Sequence, residues 1–191
     1  MPPQASRKSS NIARTVYLRM APTDTITVSG DTYPVYFDWR WGDPDENRDP
    51  AAAGDPAFVT TTWIQEGAGR RAQSVLQVDC WSRVGPQGAA DGDSFGNRCR
   101  ALADEVEQVF VGTQAGSSVY KAYMSILDFA TNPAAPPDTG ICLVCQNSAG
   151  DFGMPEARAP LRTDGEMWRT TITFVFRLVQ DAAGPTAVYE V

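Results

Sequence analysis

The chain has 191 residues, 42% of them hydrophobic and 20% charged, with a formal net charge of −7 and no histidine. That length fits one domain with a substantial core, and the acidic balance argues against a general nucleic-acid binder, whose affinity comes from Lys and Arg neutralising phosphates. Without histidine the commonest general base near neutral pH is missing, so a hydrolase would have to work with carboxylates or with the only lysines, Lys8 and Lys121.

No run approaches the roughly 20 apolar residues that a membrane helix needs. Residues 1–11 are polar and basic without an apolar centre, which reads as a flexible N-terminal tail and not as a secretory signal. A protein made in a reducing cytoplasm is expected. Strand-like patterns follow over 15–20, 25–28 and 33–39. The interval 42–57, with its Asp, Pro, Gly and Ala, reads as a loop-rich insertion and a natural contact arm for a partner.

Residues 58–66 are rich in β-branched and aromatic side chains and predict a strand. Gly67 and Gly69, followed by Arg70 and Arg71, suit a tight reversal. The return pattern, Ser74-Val75-Leu76-Gln77-Val78-Asp79-Cys80-Trp81, predicts a central strand with both faces partly covered. After a loop over 85–93, Asp93 or Ser94 can cap a helix that runs to about Phe110. Its apolar stripe is Phe95, Cys99, Leu102, Ala103, Val106, Val109 and Phe110, with Arg98, Asp104, Glu105, Glu107 and Gln108 facing away. Gly112 is the expected stop.

The alternation over 120–129 predicts another strand. A second loop-rich insertion, 132–166, is broken by the apolar run 141–145. The strongest strand pattern covers 167–180, with Trp168, Thr170, Ile172, Phe174, Phe176 and Leu178 on one face and Arg169, Thr171, Thr173, Val175 and Arg177 on the other. Residues 186–191 could add an edge strand or dock onto a neighbouring subunit. The fold class expected is α+β: a mixed or antiparallel sheet with one main helix packed across it and long loop insertions, in a single domain over 1–191.

Candidate chemistry is sparse. Cys142-x-x-Cys145 has the spacing of zinc knuckles and redox motifs, but Cys80 and Cys99 make no second knuckle. With no histidine, buried structural thiols are the preferred reading. The acidic stretch from Asp43 to Asp49 lacks EF-hand spacing and reads as a solvated loop, and Asp91-Gly92-Asp93 is explained by helix capping. No Gly-Lys-Ser/Thr follows Gly67-Ala68-Gly69, so a phosphate loop is not indicated. Tyr33, Tyr36, Phe37, Trp39 and Trp41 form the densest aromatic cluster, suited to core or interface. Arg70, Arg71, Arg98 and Arg100 could form a local basic patch. The interface candidates are Trp39, Trp41, Arg70 and Arg71; no catalytic residue, cofactor or metal is expected.

The Ser74–Trp81 pattern, the Gly-rich loop and the stretch Cys99-Arg100-Ala101-Leu102-Ala103-Asp104-Glu105-Val106-Glu107-Gln108-Val109-Phe110 resemble the tail terminator, or tail completion, proteins of long-tailed, lambda-like bacteriophages. In that family a strand reading like LQVDVW leads through a loop to a helix reading like ALADAVxxxF, and the final strand is similar to Trp168–Leu178. The chain departs from the family at the N-terminus, where strand patterns stand in place of a first helix, and in its two insertions. The resemblance implies a structural virion protein and not an enzyme. It would be a homo-oligomer, a hexameric ring in the neck of the tail, assembled in the host cytoplasm. Its partners would be the tail tube protein, whose polymerisation it stops, and a head-tail connector or stopper protein, with DNA only as passing cargo. Alternatives are a tail tube or connector subunit and, more remotely, a small-molecule or metal-binding module.

Overall fold

The computed structural model describes residues 4–37, 55–65, 73–85, 93–112, 115–117, 120–147, 160–163 and 167–179. It is an α+β fold, a mixed, half-barrel sheet with two helices. The elements in chain order are α1 (Gln4–Met20), β1 (Thr25–Val28), β2 (Asp31–Tyr36), β3 (Ala57–Gln65), β4 (Gln73–Arg83), α2 (Asn97–Gln108), β5 (Tyr123–Leu127), β6 (Asp138–Asn147), β7 (Leu161–Thr163) and β8 (Met167–Val179).

The strand order is β1-β2-β3-β4-β8-β6-β5, with β7 paired to the start of β8. All pairings are antiparallel except β2 with β3, where Val35 and Tyr36 run parallel to Val59 and Thr60. The expected hairpin is β3–β4, and β4 is central, flanked by β8 over its whole length and by β3 from Val75 to Ser82. At one margin the two-residue turn of β1–β2 places both Ser29 (φ 54°) and Gly30 (φ 94°) in the left-handed region, the geometry whose twist matches the flanking strands.

The first helix corrects the reading of 15–20 as a strand, and it takes in residues 4–11 of the stretch expected to be a flexible tail. Within a six-residue window Thr15 to Met20 alternates like a strand. From Ile12 onwards, however, Ile12, Ala13, Val16, Tyr17 and Met20 fall at helical spacing and all are buried, leaving Leu18 outward. Ala21 still donates its N–H to the Tyr17 carbonyl at 2.8 Å; Pro22 then prevents continuation. The interval 132–166 likewise is no simple insertion, because it supplies β6, an internal strand between β8 and β5, and the short β7. The 120–129 pattern shortens to β5.

Both helices lie on the same face of the sheet, over a core that joins Val16 and Tyr17 of α1, Leu102 and Val106 of α2, Leu76 and Val78 of β4 and Phe174 and Phe176 of β8. Aromatic rings bridge the layers: Trp63 to Phe176 at 5.9 Å, Phe110 to Phe174 at 4.9 Å and Phe110 to Phe176 at 5.7 Å between centroids. Tyr17 stacks on Phe37 at 4.2 Å and reaches Trp63 at 6.2 Å. The α2 stripe is largely as expected, with two corrections. Phe95 is 65% exposed because the helix begins only at Asn97, and Glu107 is buried because α2 touches β1 as well as β3, β4 and β8, so that more than one stripe is covered.

Candidate interaction surface

The sheet face turned away from the helices follows directly from strand alternation and register. Leu161 on β7 stands opposite Arg169 on β8, Arg169 opposite Trp81 on β4, and Trp81 opposite Phe58 on β3. The four make one row across four strands. The Arg169 guanidinium lies over the Trp81 ring, 5.5 Å from its centroid. Phe58 stacks on Trp81 at 6.0 Å, and Tyr36 meets Phe58 edge-on at 6.0 Å. Two hydrogen bonds hold the row in place: Trp81 Nε1 donates to Thr60 Oγ1 at 2.9 Å, and the Tyr36 hydroxyl to Asp55 Oδ2 at 2.6 Å.

The next row along the strands is polar. Asp79, buried between Thr60 and Thr171, accepts from Thr171 Oγ1 and from Gln77 Nε2, the latter at 2.7 Å. Two arginines of β8 therefore share a face but differ in their surroundings. With its amide turned to present oxygen, Gln73 accepts from Arg177 Nη2 at 2.7 Å and Nε at 2.9 Å. By contrast, Arg169 Nε is shut off from solvent without a hydrogen-bond acceptor among the described residues.

The margins of the sheet differ too. At β5, α1 occupies part of the outer edge: the Leu127 N–H donates to Thr15 Oγ1 at 3.0 Å, and the Phe129 N–H to Asn11 Oδ1 at 3.2 Å. Asn11 Nδ2 also donates to Asp128 Oδ1 at 3.3 Å, and Arg14 lies over the Phe129 ring. Pairing with another chain is thereby restricted at that edge. At the other margin β1 pairs, among the described residues, only with β2.

A buried polar cluster sits under the first turn of α2. Asp93 accepts from Ser82 Oγ at 2.8 Å and from the N–H groups of Asn97 and Arg98, both at 2.9 Å. Burial by itself would raise the Asp93 carboxyl, but the bonds from Ser82 and from the Arg98, Asn97 and Cys99 amides outweigh it and hold the group below its ordinary value. Nearby, burial first, then the Asp31 charge and hydrogen bond, push the Tyr33 phenol up, against an opposing pull from Arg98. These arrangements anchor elements of the fold to one another.

The cysteine motif has a simple geometric outcome. Cys142 and Cys145 are three residues apart in β6, so they point to opposite faces: Cys145 stands opposite Phe176 of the core face, while Cys142 stands opposite Ser125. One ion cannot take both. All four cysteines are buried and none forms a disulfide. Burial raises Cys145 and Cys80 well above the ordinary thiol and Cys99 to about 11, and the Cys99 Sγ lies 2.9 Å from the Cys80 carbonyl oxygen. Native protein should therefore react with a maleimide at neutral pH at least about a hundredfold more slowly than urea-unfolded protein, since the thiolate is the nucleophile; rapid labelling of any one cysteine in the native state would contradict this burial.

Of the residues singled out from sequence, Trp39, Trp41, Arg70 and Arg71 lie outside the described residues, as do the acidic stretch 43–49 and the glycines at 67 and 69. Tyr33 is core, Tyr36 joins the row on the face turned away from the helices and Phe37 packs on α1. Arg98 is half-buried and Arg100 exposed. The Trp81–Arg169 pairing was hidden in sequence because it depends on a register between strands far apart in the chain. No protein-family model, no curated protein and no solved structure matches the chain.

Proposed function

We propose that the chain is a tail terminator of a long-tailed bacteriophage: a structural subunit that closes into a hexameric ring on the head-proximal end of the tail tube, stops tube growth and presents a surface to a head-tail connector or stopper. The observation that carries this reading is spatial. The segments that bear the resemblance, over 74–81, 99–110 and 168–178, are distant in sequence yet form one unit, with β4 and β8 as neighbours and α2 packed on both. The first helix, absent from the sequence pattern, is present as α1, which removes one departure from the family. The sheet face turned away from the helices carries the half-buried Tyr36, Trp81 and Arg169, of the side-chain types that dominate binding interfaces.

The test is native mass by light scattering, alone and with purified tail tubes, followed by negative-stain imaging. The expected result is a closed ring, or a monomer that assembles on the tube end and halts elongation. Open filaments would favour the tube-subunit reading, since a head-to-tail contact that fails to close propagates. An inert monomer would overturn both.

A further inference from the structure

The two margins of the sheet are finished differently. Side chains of α1 occupy part of the outer edge at β5, whereas β1 has no strand beyond it among the described residues. The two-residue turn makes Val28–Asp31 and Ile26–Tyr33 the hydrogen-bonded pairs of the β1–β2 hairpin, and Pro34, which has no N–H, stands opposite Thr25 in a non-bonded pair. The backbone N–H and C=O groups of Thr25 and Thr27 therefore point away from β2, along an open edge. That edge has an apolar side: Ile26 is buried and Val28 packs against the main core, while Thr27 is exposed. The short β7 has no such side, since Leu161 and Arg162 are both exposed. A strand added at β1 finds backbone partners and an apolar row to continue.

The chain carries one segment suited to that edge. Residues 180–191 lie outside the described residues, and Thr186-Ala187-Val188-Tyr189-Glu190-Val191 is the only run of six among the undescribed stretches that holds neither Gly nor Pro. Paired as a strand, it would set Ala187, Tyr189 and Val191 on one side and Thr186, Val188 and Glu190 on the other. Reach decides which copy it can serve. Through the pairs Thr25–Pro34, Val35–Val59, Phe58–Trp81 and Trp81–Arg169, Thr25 lies level with Arg169. From Arg169, β8 runs on to Val179, about 33 Å along the strand, and β1 lies a further four strands to the side, about 19 Å away. Residues 180–185 carry the chain no more than about 24 Å. The segment cannot lie along β1 of its own subunit and can reach that edge only on another copy.

We infer that the β1 edge of one subunit receives residues 186–191 of the next copy as an added strand, with Ala187, Tyr189 and Val191 on the side of Ile26 and Val28. This rests on the ring reading above and names the contact that would join its subunits. Main-chain bonds to Thr25 and Thr27 supply the affinity, and the alternate side chains fix the register. Donor segment and receiving edge are different surfaces, so the contact runs head to tail and closes into a ring when the rotation permits.

Native mass by light scattering over a dilution series, with and without purified tail tubes, tests both sides of the contact. Val188→Pro, which removes a backbone donor from the segment and breaks a strand, should raise the dissociation concentration at least about tenfold. Thr27→Pro, which removes an outward N–H and spares the bonds between β1 and β2, should act in the same direction. A cross-link serves as a measurement that needs no proline. Thr27→Cys protein mixed with Val188→Cys protein and oxidised should give a covalent dimer that joins the two variants, in at least about tenfold excess over dimers of either variant alone, because the chain's own cysteines are buried. A ring that forms in Val188→Pro at the wild-type concentration, or a mixture with no excess of the joined pair, overturns this inference and leaves the ring reading standing. A wild-type protein that stays monomeric even with tubes overturns both.

Discussion

Replacing Phe176 with alanine is expected to lower stability by about 3–5 kcal/mol, the cost of a large cavity in a packed core. The residue is 1% exposed and touches three aromatic rings, Trp63, Phe110 and Phe174, so its loss opens space beneath two strands and the end of α2 at once. Its backbone lies opposite both Ser74 and Cys145, in the strand that joins the two halves of the sheet. Relaxation into the gap would have to move that strand. The measurement is urea unfolding followed by tryptophan fluorescence, with a lower midpoint and an unchanged slope. Phe95→Ala is the matched control: the ring is 65% exposed, and its removal should change stability by no more than about 0.5 kcal/mol. If the two variants behaved alike, the packing assigned to Phe176 would be wrong.

Phe176 also shows what sequence could reveal. The alternation over 167–180 identifies it as inward, and the same logic recovers β3, β4 and the stripe of α2. Local periodicity is written in neighbouring residues, and these elements are long enough to display it. The misses have physical causes. In α1 the window of residues 15–20 satisfies both periods, and only the addition of Ile12 and Ala13 separates them. For β7 there is no pattern at all, because Leu161, Arg162 and Thr163 are held by backbone pairing to β8 and are largely exposed. Strand order was also out of reach: the neighbours β4 and β8 are brought together by tertiary packing, and no local signal encodes the parallel step between β2 and β3.

The row on the face turned away from the helices was legible in parts. Trp81 and Arg169 are both visible in the sequence as members of strands, and each falls on the face opposite the main apolar set. Their meeting depends on a register that ties residue 81 to residue 169. Aromatic density pointed instead to residues 33–41, whose first members turn out to serve different roles. Tyr33 fills core, Phe37 covers Tyr17 and Tyr36 alone joins the surface row. A cluster in sequence therefore became three separate environments, since alternate strand residues face opposite ways.

Asp93→Ala should cost about 2–4 kcal/mol at neutral pH, combining a lost helix cap with a stranded buried hydroxyl. The sequence marks Asp93 as a capping residue, and the structure explains why it caps from outside the usual position. Gly96, at the cap itself, has φ 71° and makes no side-chain cap bond. A Cβ there would lie 2.6 Å from Pro160 Cβ, so the chain turns through a glycine and leaves the capping to Asp93. That carboxylate then serves Ser82 and the first-turn amides together, while Trp168 Nε1 donates to the Asp93 carbonyl at 2.7 Å and pins the loop to β8. Because the folded carboxyl is held below its ordinary 3.8, its charge-dependent stabilisation is present above the unfolded value and disappears as pH falls through the lower, folded one. The gap between wild type and Asp93→Ala should thus be widest near neutral pH and narrow in acid as the wild-type carboxyl protonates. Asp93→Asn, which keeps the shape and one acceptor without the charge, should fall between the two at neutral pH. Unfolding curves for all three proteins at neutral pH and at about pH 3, in the range where an ordinary Asp titrates, give the comparison. A gap that stayed constant with pH would mean that the carboxylate charge is not what secures the helix.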